Sequence, residues 1–338
     1  MRIESRKLFN ALQKAMATAY GTENASQQFT ATPLMAQTLN DAVQKSSGFL
    51  SRITIAPRPD LVGEVLTMSI LSSVAGRTDT SSSGERSPQQ AGAPNQTRAY
   101  AMKQHNYDTA MKYSLIDSWA RYPDFRKRYS AAIQQRIALD RLMVGWYGMS
   151  AAATTDRVAN PKLQDVNKGW IYDLKTNKPE HYLSPTGAGA LGQINLGPTG
   201  DYKNLDHLVF SLFSLIAEEH RTGNEVAIIG QGLVTWEMGK LLAEHAGTPT
   251  EKNAIKVLGK SYGGLESVVV SNFPDNGLLI VDPAMLHIYF QDSSVRRQSV
   301  DNPKKDQVED YISMQEAYMI ENLEACVAID DSKVVIEA

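Results

Sequence analysis

Residues 121–150 read RYPDFRKRYSAAIQQRIALDRLMVGWYGMS, and the rest of the chain can be arranged around this stretch. Pro123 suits the first turn of a helix, Asp124 adds an acid beside it, and neither Pro nor Gly follows until Gly145. At about 100° per residue, apolar side chains cover roughly half of the helix circumference. The stretch therefore predicts one long helix with a broad buried face. The apolar side contains Phe125, Tyr129, Ala132, Ile133, Ile137, Leu139, Met143, Val144, Trp146 and Tyr147, and the opposite side contains Lys127, Gln134, Arg141 and Gly145.

Two charged residues, Arg136 and Asp140, fall inside the apolar arc of this helix. They are one turn apart, so they could pair with each other or with a neighbouring element. A local ion pair at the edge of the core is the favoured interpretation, and a contact between subunits is the alternative.

Residues 1–50 predict an arm rather than a domain. Helical spacing of apolar residues runs from Ile3 to Tyr20 and ends at Gly21. A second helical pattern begins at Pro33 and closes at 46–48, after a polar linker. Two short helices bury too little surface to order themselves, so we expect the arm to pack on another part of an assembly.

A hairpin with a long tip follows the arm. Residues Val65 to Leu71 alternate as strands do, and a return strand is predicted from Arg98 to Tyr113. The intervening residues Gly76 to Gln96 contain almost nothing apolar. Loops longer than about 12–15 residues are uncommon inside compact domains and are usually functional or ordered by a partner. The hairpin therefore predicts a projecting element that contacts a neighbour.

The remainder predicts a second compact unit and a set of tail strands. Residues 151–201 read as irregular, with one ordered piece around Trp170. Buried strands and amphipathic helices then alternate. The helices are predicted at Leu205–His220 and Val234–His245, and the strands at Glu225–Ile229, Ser267–Val270 and Leu278–Asp282. Further strands, with the alternation of a partly exposed antiparallel sheet, are predicted at Met285–Phe290, Val295–Val300, Gln307–Ile320 and Ala325–Val335.

Composition limits the classes of function. A net charge of −3 over 338 residues gives no general electrostatic attraction to nucleic acid or to an anionic membrane. The single cysteine, Cys326, excludes an intrachain disulfide and suits a reducing cytoplasm. Its apolar neighbours indicate a buried packing residue. The charged N-terminus does not resemble a secretory signal, and no stretch is apolar enough for a membrane helix.

No set of residues predicts catalysis, a cofactor site or a metal site. The pattern Gly-x-Gly-x-x-Gly at 187–192 lacks the preceding strand and following helix that a dinucleotide site requires. The six histidines are scattered and form no motif of metal ligands. The basic run 126–128 could touch phosphates, although a solvated helix start is the favoured interpretation. An arm, a long hairpin and a compact unit joined to one helix instead describe a subunit completed by copies of itself.

Short motifs along nearly the whole chain carry a family resemblance. They include Met1-Arg2 with Phe9-Asn10, Gln37-Thr38-Leu39, the run 46–53, Thr78-Asp79-Thr80, the run 119–125, Asp156-Arg157, Asn160-Pro161, the run 163–170, Arg296-Arg297, Asn302-Pro303-Lys304 and the run 308–311. With these motifs, the sequence resembles the major capsid protein of temperate tailed phages of the peduovirus type.

The resemblance implies an α+β fold, the tailed-phage major capsid fold named for the Hong Kong ninety-seven phage. It divides the chain into an N-terminal arm at 1–50, an extended loop at 51–113, and a peripheral domain at 114–200 with its spine helix at 123–148. An axial domain would span 201–284, and residues 285–338 would be return strands of the peripheral domain.

The resemblance also implies function and partners. Copies of the chain would form pentamers and hexamers of an icosahedral precursor shell, with a scaffolding protein, a maturation protease, a portal and packaged double-stranded DNA. Trimming of the arm is expected within a few residues of Phe29, in the polar linker that includes Gln28, Phe29 and Thr30. Residues 76–96 contain no lysine, so no covalent cross-link between subunits is expected. Arg77, Asp79, Arg136 and Asp140 are the candidate subunit-contact residues.

Two other functions fit parts of these observations. A cellular nanocompartment shell of the same fold would enclose a cargo enzyme in place of DNA, and the peduovirus-type motifs argue against it. A cytoplasmic α/β enzyme would need a convergent polar pocket in the unit 205–282, for which the sequence gives no signal.

Overall fold

The structure is a computed structural model, and it describes residues 2–68, 75, 77–78, 80–81, 85–86, 94–119, 122, 124–187, 192–245 and 260–337. The helices of these residues are α1 (Ile3–Ala19), α2 (Pro33–Lys45), α3 (Tyr113–Trp119), α4 (Phe125–Tyr147), α5 (Trp170–Asn177), α6 (Leu205–Phe213) and α7 (Gln231–His245). The strands are β1 (Phe29–Thr30), β2 (Thr54–Arg58), β3 (Val62–Met68), β4 (Pro94–Ala101), β5 (Lys103–Asn106), β6 (Thr109–Lys112), β7 (Tyr182–Leu183), β8 (Ile194–Leu196), β9 (Val226–Ile229), β10 (Ser261–Tyr262), β11 (Leu265–Val268), β12 (Leu278–Val281), β13 (Leu286–Gln291), β14 (Arg296–Asn302), β15 (Gln307–Ile320), β16 (Val327–Ile329) and β17 (Val334–Ile336).

The predicted long helix is α4, and the expectation of an apolar side is only partly correct. Ile137, Val144 and Trp146 are buried as expected for a core-facing stripe. Arg141 and Gly145, which the periodicity assigns to the polar side, are also buried. The reason is that α2, α5 and the large sheet cover the C-terminal half of α4 from several sides. Burial here follows the surroundings of the helix rather than its amphipathic pattern.

A large mixed sheet packs against α4. In the described part of the chain its order is β1-β14-β15-β13-β2, and β5 and β6 also pair with β15. The strand β15 spans Gln307–Ile320 as predicted, and it is antiparallel to β13 and β14. Ile312, Met314, Tyr318 and Ile320 of β15 belong to the core that contains α4. The sheet and the helix therefore share one core.

A second sheet contributes one face to the core of α4 and the other face to a second core. Its order in the described residues is β10-β11-β9-β12-β16-β7, and β9 is parallel to β11 but antiparallel to β12. Leu208 and Leu212 of α6 pack there with Leu233 of α7. The helix predicted at Leu205–His220 ends at Phe213, and a short 3-10 turn follows at Glu218–His220.

The tail strands divide among three sheets, which differs from the expectation of one antiparallel set. Strands β13, β14 and β15 belong to the large sheet, whereas β16 pairs with β12 and β7, and β17 pairs with β8. Every residue of β16 is buried, so this strand lacks the alternation of a partly exposed sheet. A fully buried strand suits an interior position between two neighbours.

The predicted hairpin is the antiparallel pair β3 and β4. Most of its tip, within residues 69–93, lies outside the described residues. The return strand is shorter than predicted, because the chain continues through β5 and β6 and then enters α3 at Tyr113. Neither α3 nor α5 was predicted. Helix α5 begins after Gly169 and buries Trp170 and Leu174.

The two predicted arm helices, α1 and α2, are both present and pack on their own chain. Ala36, Leu39 and Val43 of α2 are buried in the core of α4. In α1, Phe9 joins a smaller apolar cluster that includes Ile116 and Phe125. The arm therefore finds its packing partners within the same subunit, and α2 is an integral part of the main core.

Candidate functional site

A buried pair of opposite charges joins α4 to β15. Arg141 and Glu316 have no exposed side-chain surface, 0% in each case. Arg141 Nε donates to Glu316 Oε1 at 2.9 Å, and Arg141 Nη2 donates to Asn40 Oδ1 of α2 at 2.5 Å. Because both charges are removed from water, each depends on the other for its stabilisation. The contacts of Arg141 with Glu316 and Asn40 therefore link α4, β15 and α2, which are far apart in sequence.

The second oxygen of Glu316 is the centre of the remaining contacts. Tyr107 OH donates to Glu316 Oε2 at 2.9 Å, and Tyr318 OH donates to it at 3.2 Å. His105 Nδ1 lies 3.0 Å from the same oxygen. Asn167 Nδ2 donates to the backbone oxygen of Glu316 at 2.9 Å and lies 3.1 Å from His105 Nε2. We call these residues, together with Asn40 and Arg141, the buried charge cluster.

The pKa shifts in this cluster follow from burial and from the paired charges. Burial alone would raise the pKa of Glu316, but the charge of Arg141 and a hydrogen bond from His105 outweigh it and lower the pKa to about 2. Burial, followed by the charge of Glu316, raises the pKa of Tyr107 and of Tyr318 well above the usual value. Glu316 is therefore a charged acceptor at neutral pH and both phenols remain donors. This arrangement fixes the positions of elements and exposes no reactive group of Arg141 or Glu316.

A second buried ion pair anchors the base of the hairpin. Arg98 of β4 donates from Nη1 to Asp173 Oδ2 at 2.7 Å and from Nη2 to the backbone oxygen of Glu321 at 3.0 Å. The side chains of Arg98 and Asp173 are 10% and 7% exposed. Asp173 Oδ2 also accepts from Ile320 N at 3.0 Å. Since β3 and β4 pair only with each other among the described strands, this anchor contributes to the orientation of the hairpin.

The predicted cleavage region lies on the edge of the large sheet. Phe29 and Thr30 form β1, which pairs with Arg297 and Arg296 of β14. The side chains of Gln28 and Thr30 are exposed, as predicted for a linker, but the backbone is held in a strand. The physical reason is that β14 would otherwise present an unpaired edge.

Comparison with known proteins identifies the family. A model described as phage major capsid protein, P2 family, matches residues 8–332. The chain belongs to the P2 family of phage major capsid proteins. It is 34% identical over 343 residues to the chain named "Capsid proteins" of Escherichia phage P2, covering 99% of this chain and 96% of the relative. It is 27% identical over 329 residues to the major capsid protein of Serratia phage KSP20, covering 94% and 93%.

A solved structure supports the same assignment for this capsid subunit. A chain in the satellite phage P4 procapsid, which includes the size determination (Sid) protein, is 33% identical with a TM-score of 0.79. The match covers 100% of the capsid subunit and 99% of the P4 procapsid chain. The predicted family and the α+β capsid fold are therefore confirmed. The subunit is a structural protein that forms the icosahedral shell of a tailed phage from copies of itself, and it is not an enzyme.

Two further observations on the capsid subunit concern metals and membranes. Among the residues that the structure describes, no three His, Cys, Asp or Glu side chains are grouped so as to hold a metal ion. Within the same ranges, no helix has the length and apolar character needed to cross a membrane. Cys326 is buried, as predicted, and burial raises the pKa of its thiol.

The candidate subunit-contact residues have different positions in the structure. Arg136 Nη2 lies 2.6 Å from Asp140 Oδ1, so the local ion pair favoured by the sequence is present. This pair borders an open cavity of about 640 Å³ that Asp108 and Arg157 also line. Arg77 is exposed, and Asp79 lies outside the described residues. The structure thus brings Arg136 and Asp140 together, and their contact with another subunit stays a prediction.

The buried charge cluster was missed by the sequence analysis, although β15 contains a signal. Residues Ile312, Met314, Tyr318 and Ile320 alternate on one face of a predicted strand, and Glu316 occupies the central position of that face. A charged residue in the middle of an apolar face requires a buried partner. No comparable signal marks Arg141, because its position fits the polar side of an amphipathic helix.

Proposed function

We propose that the subunit assembles in the host cytoplasm, as pentamers and hexamers, together with a scaffolding protein and a portal. The shell then takes up double-stranded DNA, and packaging drives its expansion. The observation that carries this proposal is the full-length similarity to a chain of a phage procapsid, at 33% identity and a TM-score of 0.79. The same similarity favours a phage head over a nanocompartment with enzyme cargo.

The division of the subunit into two domains supports this assembly. The large sheet, α4 and α2 pack against one face of the second sheet, and α6 and α7 pack against its other face. We assign the large sheet with α4 and α2 to the peripheral domain, and the second sheet with α6 and α7 to the axial domain around five-fold and six-fold centres. Residues 201–284 then provide the axial contacts, and the hairpin provides the peripheral ones.

The experiment for the assembly partners is co-expression. The subunit is produced alone, with its candidate scaffold, and with scaffold and portal, and each lysate is separated on a sucrose gradient. We expect closed shells of uniform size only when the scaffold is present. Shells of the same uniform size from the subunit alone would contradict a required scaffold, while leaving the capsid function intact.

Trimming by a maturation protease is proposed within a few residues of Phe29, in the region Gln28, Phe29 and Thr30. Support comes from the position of this region, between the separate helix α1 and the core helix α2. Removing the residues before it leaves α2 and the main core complete. Mass spectrometry of subunits from purified virions should give a mass that corresponds to a chain beginning near Thr30. A full-length mass in mature virions would refute trimming.

Mature shells of this subunit should lack covalent cross-links. Residues 76–96 contain no lysine, and the nearest one along the hairpin is Lys103. Side-chain amide cross-links need a lysine amine, so the hairpin tip cannot supply one. Purified mature particles, boiled in denaturant, should run as monomers on a gel. A ladder of multimers that survives boiling would contradict this prediction.

A further inference from the structure

The N-terminal segment, residues 2–31, lies along β14 in antiparallel order. Its contacts begin near the C-terminal end of β14 and step back to the residue that precedes β14. This order describes one continuous docking track on the sheet edge. Arg6 pairs with Asp301, Gln13 Nε2 donates to Ser299 O at 3.1 Å, Ser299 N donates to Ala25 O at 2.9 Å, Gln298 Nε2 donates to Ser26 O at 2.9 Å, Phe29 and Thr30 pair with Arg297 and Arg296, and Ala31 N donates to Val295 O at 2.8 Å.

An apolar notch beside β14 receives the helix of this segment. Phe9 of α1 is 5% exposed and lies in a cluster formed otherwise by the body of the subunit. The body contributes residues from β6, α3, α4 and β15. Strands β6 and β15 pair within the large sheet, and α4 packs in the main core, so these parts of the notch are held without α1. Its lining residues are Met111, Tyr113, Ile116, Phe125 and Val308.

The charges of the helix and of its docking site are complementary. Residues 2–20 carry four basic side chains and one acidic side chain. Arg2 N donates to Asp117 Oδ1 at 3.1 Å, and Arg6 pairs with Asp301. Burial alone would raise the pKa of Asp301, but hydrogen bonds from Tyr113 and Arg6 outweigh it and lower the pKa. Asp301 therefore stays charged at neutral pH and favours a basic partner.

The link between α1 and the rest of the segment is an exposed turn. Gly21, Glu23 and Asn24 are exposed, and Thr22 is half-buried. The contacts of α1 with Asp301, Ser299 and the notch involve residues before this turn. Cutting the chain within this turn therefore removes none of these contacts of α1.

We propose that β14 and the apolar notch form a docking site for a basic amphipathic helix that has an arginine three residues before an aromatic residue. Its ligand is the chain's own N-terminal helix, residues 2–20, which stays bound to the subunit after the chain is cut. The inference rests on the proposed trimming only for its biological setting, in which the trimmed peptide remains on the shell subunit as a non-covalent ligand.

The test uses the full chain with a recognition site for a sequence-specific protease inserted after Glu23. The protein is folded first and cut afterwards, so folding does not depend on the cut. Size-exclusion chromatography followed by mass spectrometry then asks where the N-terminal fragment elutes. We expect it to elute with the body of the subunit. Quantitative separation of the fragment from a folded body at micromolar concentration would overturn the proposal.

A competition experiment identifies the contacts that hold the fragment. Labelled synthetic peptide of residues 2–20 is exchanged onto the cut protein, and its affinity is measured by fluorescence anisotropy. The Phe9→Ala peptide should bind at least ~10-fold more weakly, because a buried aromatic side chain is lost. The Arg6→Gln peptide should lose ~2- to 5-fold, since the ion pair is partly exposed.

The matched control for Arg6→Gln is Lys7→Gln, which removes the same charge from an exposed neighbouring position. The Lys7→Gln peptide should bind like the unmodified peptide. Equal losses of affinity for the two variant peptides would show that only the overall charge of the helix attracts it. That result would overturn a specific site. The engineered cut does not involve the phage protease. Full-length subunits in virions would therefore refute trimming without affecting this measurement. Separation of the fragment from the engineered, cut protein would refute the docking proposal without affecting the trimming proposal.

Discussion

At the scale of single residues, the buried charge cluster joins elements that are distant in sequence. Arg141, Glu316 and Asn40 belong to α4, β15 and α2, and their contacts fix how these elements lie against one another. Removing charges from water costs free energy, and pairing them returns only part of it. The cluster therefore acts more through specificity than through net stability: a shifted register of β15 would leave Arg141 buried without its acid.

Neutralising one member of the pair should destabilise the subunit strongly. Glu316→Gln leaves the guanidinium of Arg141 buried without a counter-charge, so we expect the free energy of unfolding to fall by about 3–5 kcal/mol. The Arg141→Met change should have a loss of similar size. Urea denaturation of the unassembled subunit, followed by circular dichroism, measures both.

The matched control is Arg136→Met on the same helix, where the side chain of Arg136 is 61% exposed. Its loss should stay below about 1 kcal/mol, because exposed ion pairs contribute little. The double variant of Arg141→Met and Glu316→Gln should lose less than the sum of the two single variants, since neither change then leaves a buried charge alone. Strictly additive losses would contradict this view of the cluster.

Acid should weaken the fold through Glu316. Its pKa lies near 2 in the folded subunit, against a usual value of 4.5. A carboxyl with a lowered folded pKa contributes stability that is complete above the unfolded pKa and is lost as the pH falls toward the folded pKa. Between about pH 4.5 and 2 the original protein should lose stability more steeply than Glu316→Gln. Parallel curves of unfolding free energy against pH for the two proteins would refute the assignment.

At the scale of elements, close packing of α4 against α5 explains a glycine within a helix. A Cβ on Gly145 would lie 2.1 Å from the ring of Trp170, so only glycine lets the two helices approach this far. The Trp170 indole also donates from Nε1 to His287 O at 3.0 Å, which joins α5 to β13. The tryptophan is thus fixed from two directions.

A pair of glycine substitutions should have opposite effects. Gly145→Ala forces a clash with Trp170, and we expect a loss of about 1–3 kcal/mol in unfolding free energy. Gly239 lies within α7, and a Cβ added there meets nothing within 4 Å. Gly239→Ala should therefore stabilise by about 0.5–1 kcal/mol, because alanine restricts the unfolded chain. Thermal unfolding measures both, and a neutral Gly145→Ala would contradict the packing argument.

Arg98→Gln should loosen the base of the hairpin without unfolding the core. Asp173 and the backbone oxygens at the end of β15 would lose their cation, so amides of β3 and β4 should exchange hydrogen at least ~10-fold faster. Lys103→Gln, a loss of charge at an exposed site on β5, is the matched control. Hydrogen exchange followed by mass spectrometry reports both regions. Unchanged protection of β3 and β4 in Arg98→Gln would contradict an anchoring role.

The sequence predicts elements best where the periodicity is long and the context is simple. The bounds of α1, α2, α4 and β15 follow closely from apolar spacing and from Pro and Gly positions. The helices α3 and α5 were missed because each is short, and such segments take their structure from the surface they pack on. The burial of Arg141 could not be predicted, because it depends on elements that approach from distant parts of the chain.

At the scale of the whole molecule, the subunit combines two cores with segments that extend from them. The large sheet and α4 share one core with one face of the second sheet, and the other face of that sheet forms the second core with α6 and α7. The hairpin of β3 and β4 pairs only with itself among the described strands, and α1 is attached through an exposed turn. This arrangement suits a shell in which rigid bodies are joined by their projecting segments.

The most direct test of the shell function is electron microscopy of the protein, expressed alone and again with its candidate scaffold and protease. N-terminal sequencing of the purified particles accompanies the imaging. We expect closed icosahedral shells when the scaffold is present, with subunits that begin near Thr30 once the protease is added. A monomer or small oligomer that persists under every condition would contradict the role of this chain as a self-assembling capsid subunit.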